Sequence, residues 1–576
     1  MKKTIQRRPL PNITQPVSPS PVLARLFAAR GVVRAEELDY QLQYLLKPDT
    51  LKGLDQALTL LVDALTNGES ILILGDFDAD GATSTALAVR CLRALGCAQV
   101  NFLVPNRFEY GYGLTPEIVE VAAQYAPQLL ITVDNGISSL DGVARAQALG
   151  IKVLVTDHHL PGAQLPSAEA IVNPNQPGCA FPCKALAGVG VIFYVLSALR
   201  TRLRELGWFA QRPEPNFAEY LDIVALGTVA DVVPLEHNNR LLVAQGLKRI
   251  QAGRCCEGIK ALLQVASRAA DKITATDLGF VVGPRLNAAG RLDDMSLGIQ
   301  CLLTDNPAEA LALAQELDAL NRDRRAIETG MQQEALVLLA TLERELAGQL
   351  PTGLCLFHAD WHQGVIGILA SRIKDRLHRP VIVFALDEQG QLKGSGRSIP
   401  GFHLRDALDE VASAHPHMLK KFGGHAMAAG LSLAPEYLAA FKTAFDAVAH
   451  KHLGTSGLEA KMFTDGELLP AEFNLTLAAD LAAAGPWGQA FPDPCFDGEF
   501  NLVQQRLLGE KHLKMVLSPR QAPHQLIDAI AFNIDVKAWP NTECRHIRLV
   551  YKLAANEFRG QTSLQLMVDY MEPLNA

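Results

Sequence analysis

The chain has 576 residues, beyond the roughly 250–300 at which single cores stop growing, so it should hold three or four domains. It is 49% hydrophobic and 20% charged, a globular composition, and its net charge of −8 argues against broad nonspecific affinity for nucleic acid without excluding a local basic channel. The ten cysteines complete no zinc tetrad and read as reduced thiols in a cytoplasmic protein; the N-terminus lacks the apolar region of a signal peptide, and the longest apolar run, Ala185 to Leu199, is too short to span a bilayer.

Residues 1–45 read as a Pro-rich docking arm with helices at Val22 to Ala29 and Ala35 to Leu46. From about 53 to 240, apolar runs alternate with helical patterns: Ile71–Leu74, Val100–Val104, Leu129–Val133, Val153–Val155 and Ala170–Val172. That alternation predicts a mostly parallel sheet with right-handed crossovers. The stretch ILILGDFDADGATST organises the rest. After the first run, Gly75 turns the chain and Asp76, Asp78 and Asp80 follow in alternation; a helix is expected from Ala86. Three carboxylates at the C-terminal end of a strand repel one another unless a cation neutralises them, and oxygen ligands suit Mg²⁺ or Mn²⁺. A Ca²⁺ loop fits poorly, because Leu87 stands where its Glu belongs.

Further polar residues close later runs: Asp134 in VDNGIS, the triplet Asp157-His158-His159, and Asp231 in ALGTVADVVPL. Singly, each has a bland reading as a cap, a turn residue or a satisfied core histidine. Gathered along one sheet edge they would be costly without cations, and two ions about 3.5–4 Å apart serve phosphoester chemistry. Asn106 and Arg107 follow the second strand, and a guanidinium fork matches phosphate. Pro307 to about Leu346 reads as one long helix, a strut between two halves; its Arg322, Arg324 and Arg325 could face nucleic acid or solvent, and solvent is the favoured reading. Residues 351–450 form a second α/β unit, with strands at 353–358 and 380–386 around a helix from Ile366 to Leu377. Its Gly-rich pieces GSGRS and FGGHAMAAG allow close backbone approach to an anion. From about 455, short strands at Phe496–Val503, 512–519, 526–534 and 546–558 suggest a small barrel, with Trp487, Phe491 and Phe496 in its core.

Together, Asp157-His158-His159, GDFDADGATSTAL, NRFEYGYGL, VDNGIS and TVADVVPL resemble the DHH phosphoesterase superfamily. The blocks VGPRLNAAGR (282–291), HQGVIGILASR (362–372), GSGRSIPGFHL (394–404) and GGHAMAAG (423–430) are similar to one branch of it, the bacterial single-strand-specific 5′→3′ DNA exonucleases. The resemblance implies an α/β multidomain chain: an arm (1–45), a DHH domain with a parallel sheet and flanking helices (46–304), a long connecting helix (305–348), a DHHA1 α/β domain (349–453) and a C-terminal OB-fold β-barrel (454–576). It implies two Mg²⁺ or Mn²⁺ ions on Asp78, Asp80, Asp134, His158 and Asp231, with Asp134 bridging and Asp76 a further carboxylate. Leu74 stands where many members carry a metal-ligating His. Asp157 would orient its neighbour, His159 would face the scissile phosphate, and Asn106 and Arg107 would touch the substrate. Arg285, Asn287, Arg291, Ser395, Arg397, Gly424, His425, Lys511 and Lys514 would contact DNA or its 5′ phosphate. The implied partners are single-stranded DNA, the single-strand-binding protein and a RecQ-type helicase; the implied state is a cytoplasmic monomer working in repair and recombination, with no membrane. Rival readings are a phosphodiesterase for short oligonucleotides or cyclic dinucleotides, a pyrophosphatase, and a non-catalytic single-strand binder.

Overall fold

Uninterrupted apolar strands need cover on both faces, and this requirement sets the architecture around the acidic residues. The structure is a computed structural model and describes residues 3–11, 17–106, 110, 113–346, 350–454 and 456–574. The chain divides into two units, Arg7–Ala319 with Phe463–Ala576, and Leu320–Met462 with Met1–Gln6.

A short strand at Thr4–Arg7 (β1) precedes the first helix, Pro21–Ala28 (α1), which Ser20 caps by accepting from Leu23 N at 3.4 Å. The helix expected over Ala35 to Leu46 is absent: the segment makes only 3₁₀ turns at Ala35–Leu38 and Leu42–Tyr44, and neither buries a residue that could stabilise a longer helix. In the larger unit, strands Ile71–Leu74 (β2), Val100–Leu103 (β3), Leu129–Val133 (β4), Lys152–Thr156 (β5) and Ala170–Val172 (β6) then form a five-stranded sheet in the order β3-β2-β4-β5-β6, all parallel. All four β2 side chains are buried, each contributing about 1.5–3 kcal/mol. The helix after β2 is Ala79–Ala94 (α2); it begins at Ala79 rather than Ala86, because Asp78 caps it. Helices Gly188–Glu205 (α3), Leu221–Ala230 (α4) and Gly283–Leu292 (α5) follow. The long helix, Pro307–Glu345 (α6), runs unbroken for 39 residues.

The smaller unit has its own five-stranded sheet. Leu354–Phe357 (β7), helix Ile366–Leu377 (α7), Val381–Leu386 (β8), Leu392–Arg397 (β9), Lys421–Gly424 (β10) and Ala428–Leu433 (β11) give the order β10-β11-β9-β8-β7. The Gly-rich pieces are therefore strands, not free loops: GSGR lies in β9, and FGG and AAG lie in the β10–β11 hairpin. Arg324 on α6 is buried, bonding Glu328 at 2.6 Å and Asn321 at 2.8 Å, so it is not a solvated residue.

Strand Lys461–Thr464 (β12) pairs with β1. Then Phe496–Leu508 (β13), His512–Pro519 (β14), Ile527–Ala531 (β15), His546–Phe558 (β16) and Gln561–Leu574 (β17) close a barrel, one strand beyond the expected four. Trp487, Phe491 and Phe496 are buried. The N-terminal arm is fastened to this region. Arg7 bonds Asp497 at 2.7 Å, and Arg30 grips Asp465 with two bonds of 2.9 and 3.0 Å while lying over Trp487. Among the described residues no helix is long and apolar enough to cross a membrane.

Candidate metal centre

Parallel strands β2, β4 and β5 end at one sheet edge, so the residues just past each end meet there. Asp76 is buried, and its Oδ1 accepts from Phe77 N at 2.7 Å. Asp78 caps α2, accepting from Asp80 N at 2.9 Å and Gly81 N at 3.0 Å. Asp80 sits in the first turn of α2 and is buried. Its Oδ2 accepts from Gly188 N at 2.6 Å and its Oδ1 from Val189 N at 2.9 Å, so the N-terminus of α3 points at this carboxylate. Asp134 follows β4 with φ +63, a left-handed conformation that an Asp tolerates better than most residues. His158 follows β5; its Nε2 lies 3.0 Å from Asp134 Oδ1, 3.5 Å from Asp231 Oδ2 and 3.9 Å from Asp80 Oδ2. Asp231 reaches this point from an unexpected element: it caps the C-terminus of α4 and ends no strand. The apolar run before it is a helix buried on all sides, which periodicity alone does not separate from a strand.

Three sets of side chains could each hold a cation: Asp76, Asp78 and Asp134; Asp134, His158 and His159; and Asp80, His158 and Asp231, with ligand atoms within 4.8 Å of one another in each set. Asp134 and His158 each belong to two of these sets. Burial, and then the charge of Asp78, push the Asp80 carboxyl up to about 7, against the pull of the Val189 and Gly188 amides. Burial and the charges of Asp80, Asp78 and Asp76 hold Asp134 and Asp231 well above the usual carboxylate range. These groups are short of positive charge, and a hard divalent cation supplies it. The donor set of carboxylate oxygens with imidazole fits Mg²⁺ or Mn²⁺.

The pair Asp157–His159 is arranged differently. Asp157 Oδ1 accepts from His159 Nδ1 at 2.8 Å and from the amides of His158 and His159, and its Oδ2 accepts from Ile137 N. Its carboxylate thus orients the His159 ring, not that of His158. Burial would raise the Asp157 carboxyl, but the His159 bond and the charge of both histidines leave it below the ordinary range. Burial opposes charge on His159, yet the Asp157 bond and the carboxylates of Asp157, Asp76 and Asp78 bring it up to about 9. With no cation to offset Asp76 and Asp78, these groups favour the imidazolium form of His159.

Several contributors escaped sequence reasoning. Asn175 and Asn173 donate to the carbonyls of His158 and His159 at 2.6 and 2.9 Å, fixing the histidine backbone from beyond β6. Their signal was the NPN turn after a sheet strand. Gly290 lets α5 approach the acidic loop, since a methyl there would sit 1.8 Å from Phe77 O. Gly290→Ala should displace that loop at a cost of about 1–3 kcal/mol. Calorimetric titration should then show weaker Mn²⁺ binding; unchanged affinity would mean that the loop does not hold the ion.

Other candidate residues fall elsewhere. Asn287 Oδ1 accepts from Ala79 N at 2.9 Å, so it steadies the start of α2. Arg285 is buried, bonding Asp318 at 2.8 and 2.9 Å and Val281 O at 2.6 Å. Both were expected to contact DNA, and their bonds here are internal. Arg291 lies in the last turn of α5. Asn106 is exposed, and its carbonyl accepts from Tyr110 N; Arg107 lies outside the described residues. Lys511 sits in the β13–β14 turn, and Lys514 pairs with Asp528 at 3.1 Å. In the smaller unit, Arg397 Nη1 donates to Ser395 Oγ at 3.2 Å. A methyl on Gly367 of α7 would meet Ser395 Oγ at 2.9 Å and Arg397 Nη2 at 3.0 Å. Ala428 pairs with Arg397 and accepts from His425 N at 2.7 Å, and Gly424, at φ +139, ends β10. Ser395, Arg397, Gly424 and His425 thus share one corner of the sheet with the start of α7.

Three family models match the chain: the DHH family, N-terminal domain, over residues 70–228, the DHHA1 domain over 350–451 and the RecJ OB domain over 464–570. The single-stranded-DNA-specific exonuclease RecJ of Escherichia coli (strain K12) is 56% identical over 561 residues, covering 97% of this chain and 97% of that protein. Among solved structures, RecJ from Thermus thermophilus in complex with Mn²⁺ matches with a TM-score of 0.81 at 31% identity, over 100% of this chain and 80% of that one. The Mg²⁺ complex of RecJ from the same organism matches with a TM-score of 0.74 at 29% identity, over 100% and 78%. On identity and coverage over nearly its whole length, the chain belongs to the family of single-stranded-DNA-specific exonucleases called RecJ.

Proposed function

We propose that this chain hydrolyses phosphodiesters of single-stranded DNA from the 5′ end, releases 5′-mononucleotides, and works in DNA repair and recombination. The observation that carries this reading is the meeting of Asp76, Asp78, Asp80, Asp134, His158 and Asp231 at one sheet edge in a chain 56% identical to a single-strand-specific exonuclease. These six residues would hold two Mg²⁺ or Mn²⁺ ions, which supply a water acidic enough to ionise near neutrality and neutralise phosphate charge. His159, oriented by its bond to Asp157, would stabilise charge growing on a non-bridging phosphate oxygen. The amides of Gly188 and Val189 hold Asp80 in place without a moving part.

Polarity requires recognition of an end. Arg397 and Ser395, beside the start of α7, form the group best suited to a terminal phosphate. Arg397→Ala should weaken the preference for 5′-phosphorylated over 5′-hydroxyl strands by roughly ten- to a hundredfold, since a charge-assisted bond contributes about 1.5–3 kcal/mol. Competition binding with the two oligonucleotides checks this; an unchanged preference takes Arg397 out of the pocket. The closed barrel is a platform for strand contacts, with Lys511 and Lys514 on its surface. A single-strand-binding protein and a RecQ-type helicase are the partners that the family likeness suggests for a cytoplasmic monomer.

End-labelled single strands and duplexes, incubated with and without Mn²⁺, test the whole reading. Loss of single strands alone, and only with metal, is the expected outcome. Turnover of a dinucleotide faster than of a long strand would favour a short-oligonucleotide phosphodiesterase instead.

A further inference from the structure

Burying an aromatic side chain is favourable, so a large ring left in water on a segment packed against the helix that carries a candidate ligand needs a reason. Phe280 is 74% exposed. It lies in a π-helical turn, Leu278–Val282, between two fully buried neighbours, Leu278 and Val282. Such turns frequently occur at functional sites. This one runs against the last turn of α4. A methyl on Gly279 would sit 3.2 Å from Val229 Cγ1, and one on Gly283 would sit 3.2 Å from Ala230 Cβ. The next residue of α4 is its cap, Asp231, which lies 3.5 Å from His158 Nε2. After Asp231 comes Val232, 61% exposed and at φ +61, a conformation that β-branched residues rarely adopt. The fold thus presents an aromatic ring and a strained aliphatic side chain to solvent, both on segments that border the metal centre.

We infer that Phe280 is a stacking surface for a nucleobase of the strand being hydrolysed. This inference rests on the nuclease reading above and specifies one of its substrate contacts. A base offers a flat π face whatever its identity, so stacking on Phe280 would add affinity without sequence preference. It would also favour unpaired bases, because a base inside a duplex has both faces occupied by its neighbours. The cluster binds phosphate and metal; Phe280 would bind what the phosphate carries.

The test compares a normal single strand with one carrying abasic residues at its first positions, in the presence of Mn²⁺. Phe280→Ala, a change at an exposed position, should raise KM for the normal strand at least about tenfold with kcat little changed. On the abasic strand the wild-type chain should already show the higher KM, and Phe280→Ala should add nothing. Phe280→Trp should retain the wild-type KM. An unchanged KM in Phe280→Ala, or an equal rise on both strands, overturns the inference while leaving the nuclease reading intact. A wild-type chain that degrades neither strand removes both.

Discussion

Asp134→Asn should silence hydrolysis and yet make the metal-free protein more heat-stable. Asp134 belongs to two of the three ligand sets, so its loss disturbs both cation positions at once. Bound metal contributes several kcal/mol of charge stabilisation in such reactions, so removing a shared ligand should cost roughly a thousandfold or more in kcat. The same carboxylate is buried among Asp80, Asp78, Asp231 and Asp76, which repel it. With no ion present the fold must keep this carboxyl protonated above its unfolded pKa, and an amide of the same shape needs no such proton. Tm of the chelated variant should therefore exceed that of the wild type, and added Mn²⁺ should raise it less. Substantial residual hydrolysis would show that Asp134 does not hold the ions. A lower Tm in chelator would show that its charge is not under strain.

Chelation should also make stability fall with rising pH. An Asp side chain titrates near 4 when unfolded, whereas Asp80 is pushed up to about 7 in the fold and Asp134 and Asp231 lie well above the usual range. A group whose folded pKa is raised contributes stability that is complete below its unfolded pKa and lost as pH climbs through its folded pKa. The window therefore opens near pH 4 and extends past 7, at about 1.4 kcal/mol per pH unit for each proton released. His159, raised to about 9, acts in the same direction above its ordinary value. Mg²⁺ or Mn²⁺ should reverse the trend, because the ion binds the deprotonated carboxylates. The gap in Tm between loaded and chelated protein should widen steadily from about pH 5.5 to about 8.5. A constant gap would mean that these carboxylates do not share one pocket.

The sheet and most of its acidic edge were legible because their signals are local. Ile71–Leu74 and Leu129–Val133 are unbroken apolar runs; Asp134 stands directly after the second, and Asp76 one residue beyond the first. Asp231 was the right kind of residue on the wrong element, since a helix buried all round carries no amphipathic period to expose it. Arg285 and Asn287 sit in a block similar to the exonuclease branch, which implied DNA contact, and their internal partners, Asp318 and the Ala79 amide, are visible only in three dimensions. Strand β1 was invisible for a related reason. Its sequence, TIQR, has no pattern of its own, and its partner β12 lies near the far end of the chain. The π-helical turn around Phe280 has no composition signature, and only the folded backbone reveals it.

The fastening of the arm to the barrel bears on how the chain is made. Arg30 and Asp465 are separated by 435 positions, and Arg7 and Asp497 by 490. At the ribosome's pace of about 5–20 residues per second, Arg30 waits roughly 20–90 s for its carboxylate to be synthesised. Throughout that interval the catalytic domain can fold, but the leading segment has nothing to clasp. This clasp thus closes late, and a nascent chain released before Asp465 and Asp497 are made would leave Arg30 and Arg7 without these carboxylates.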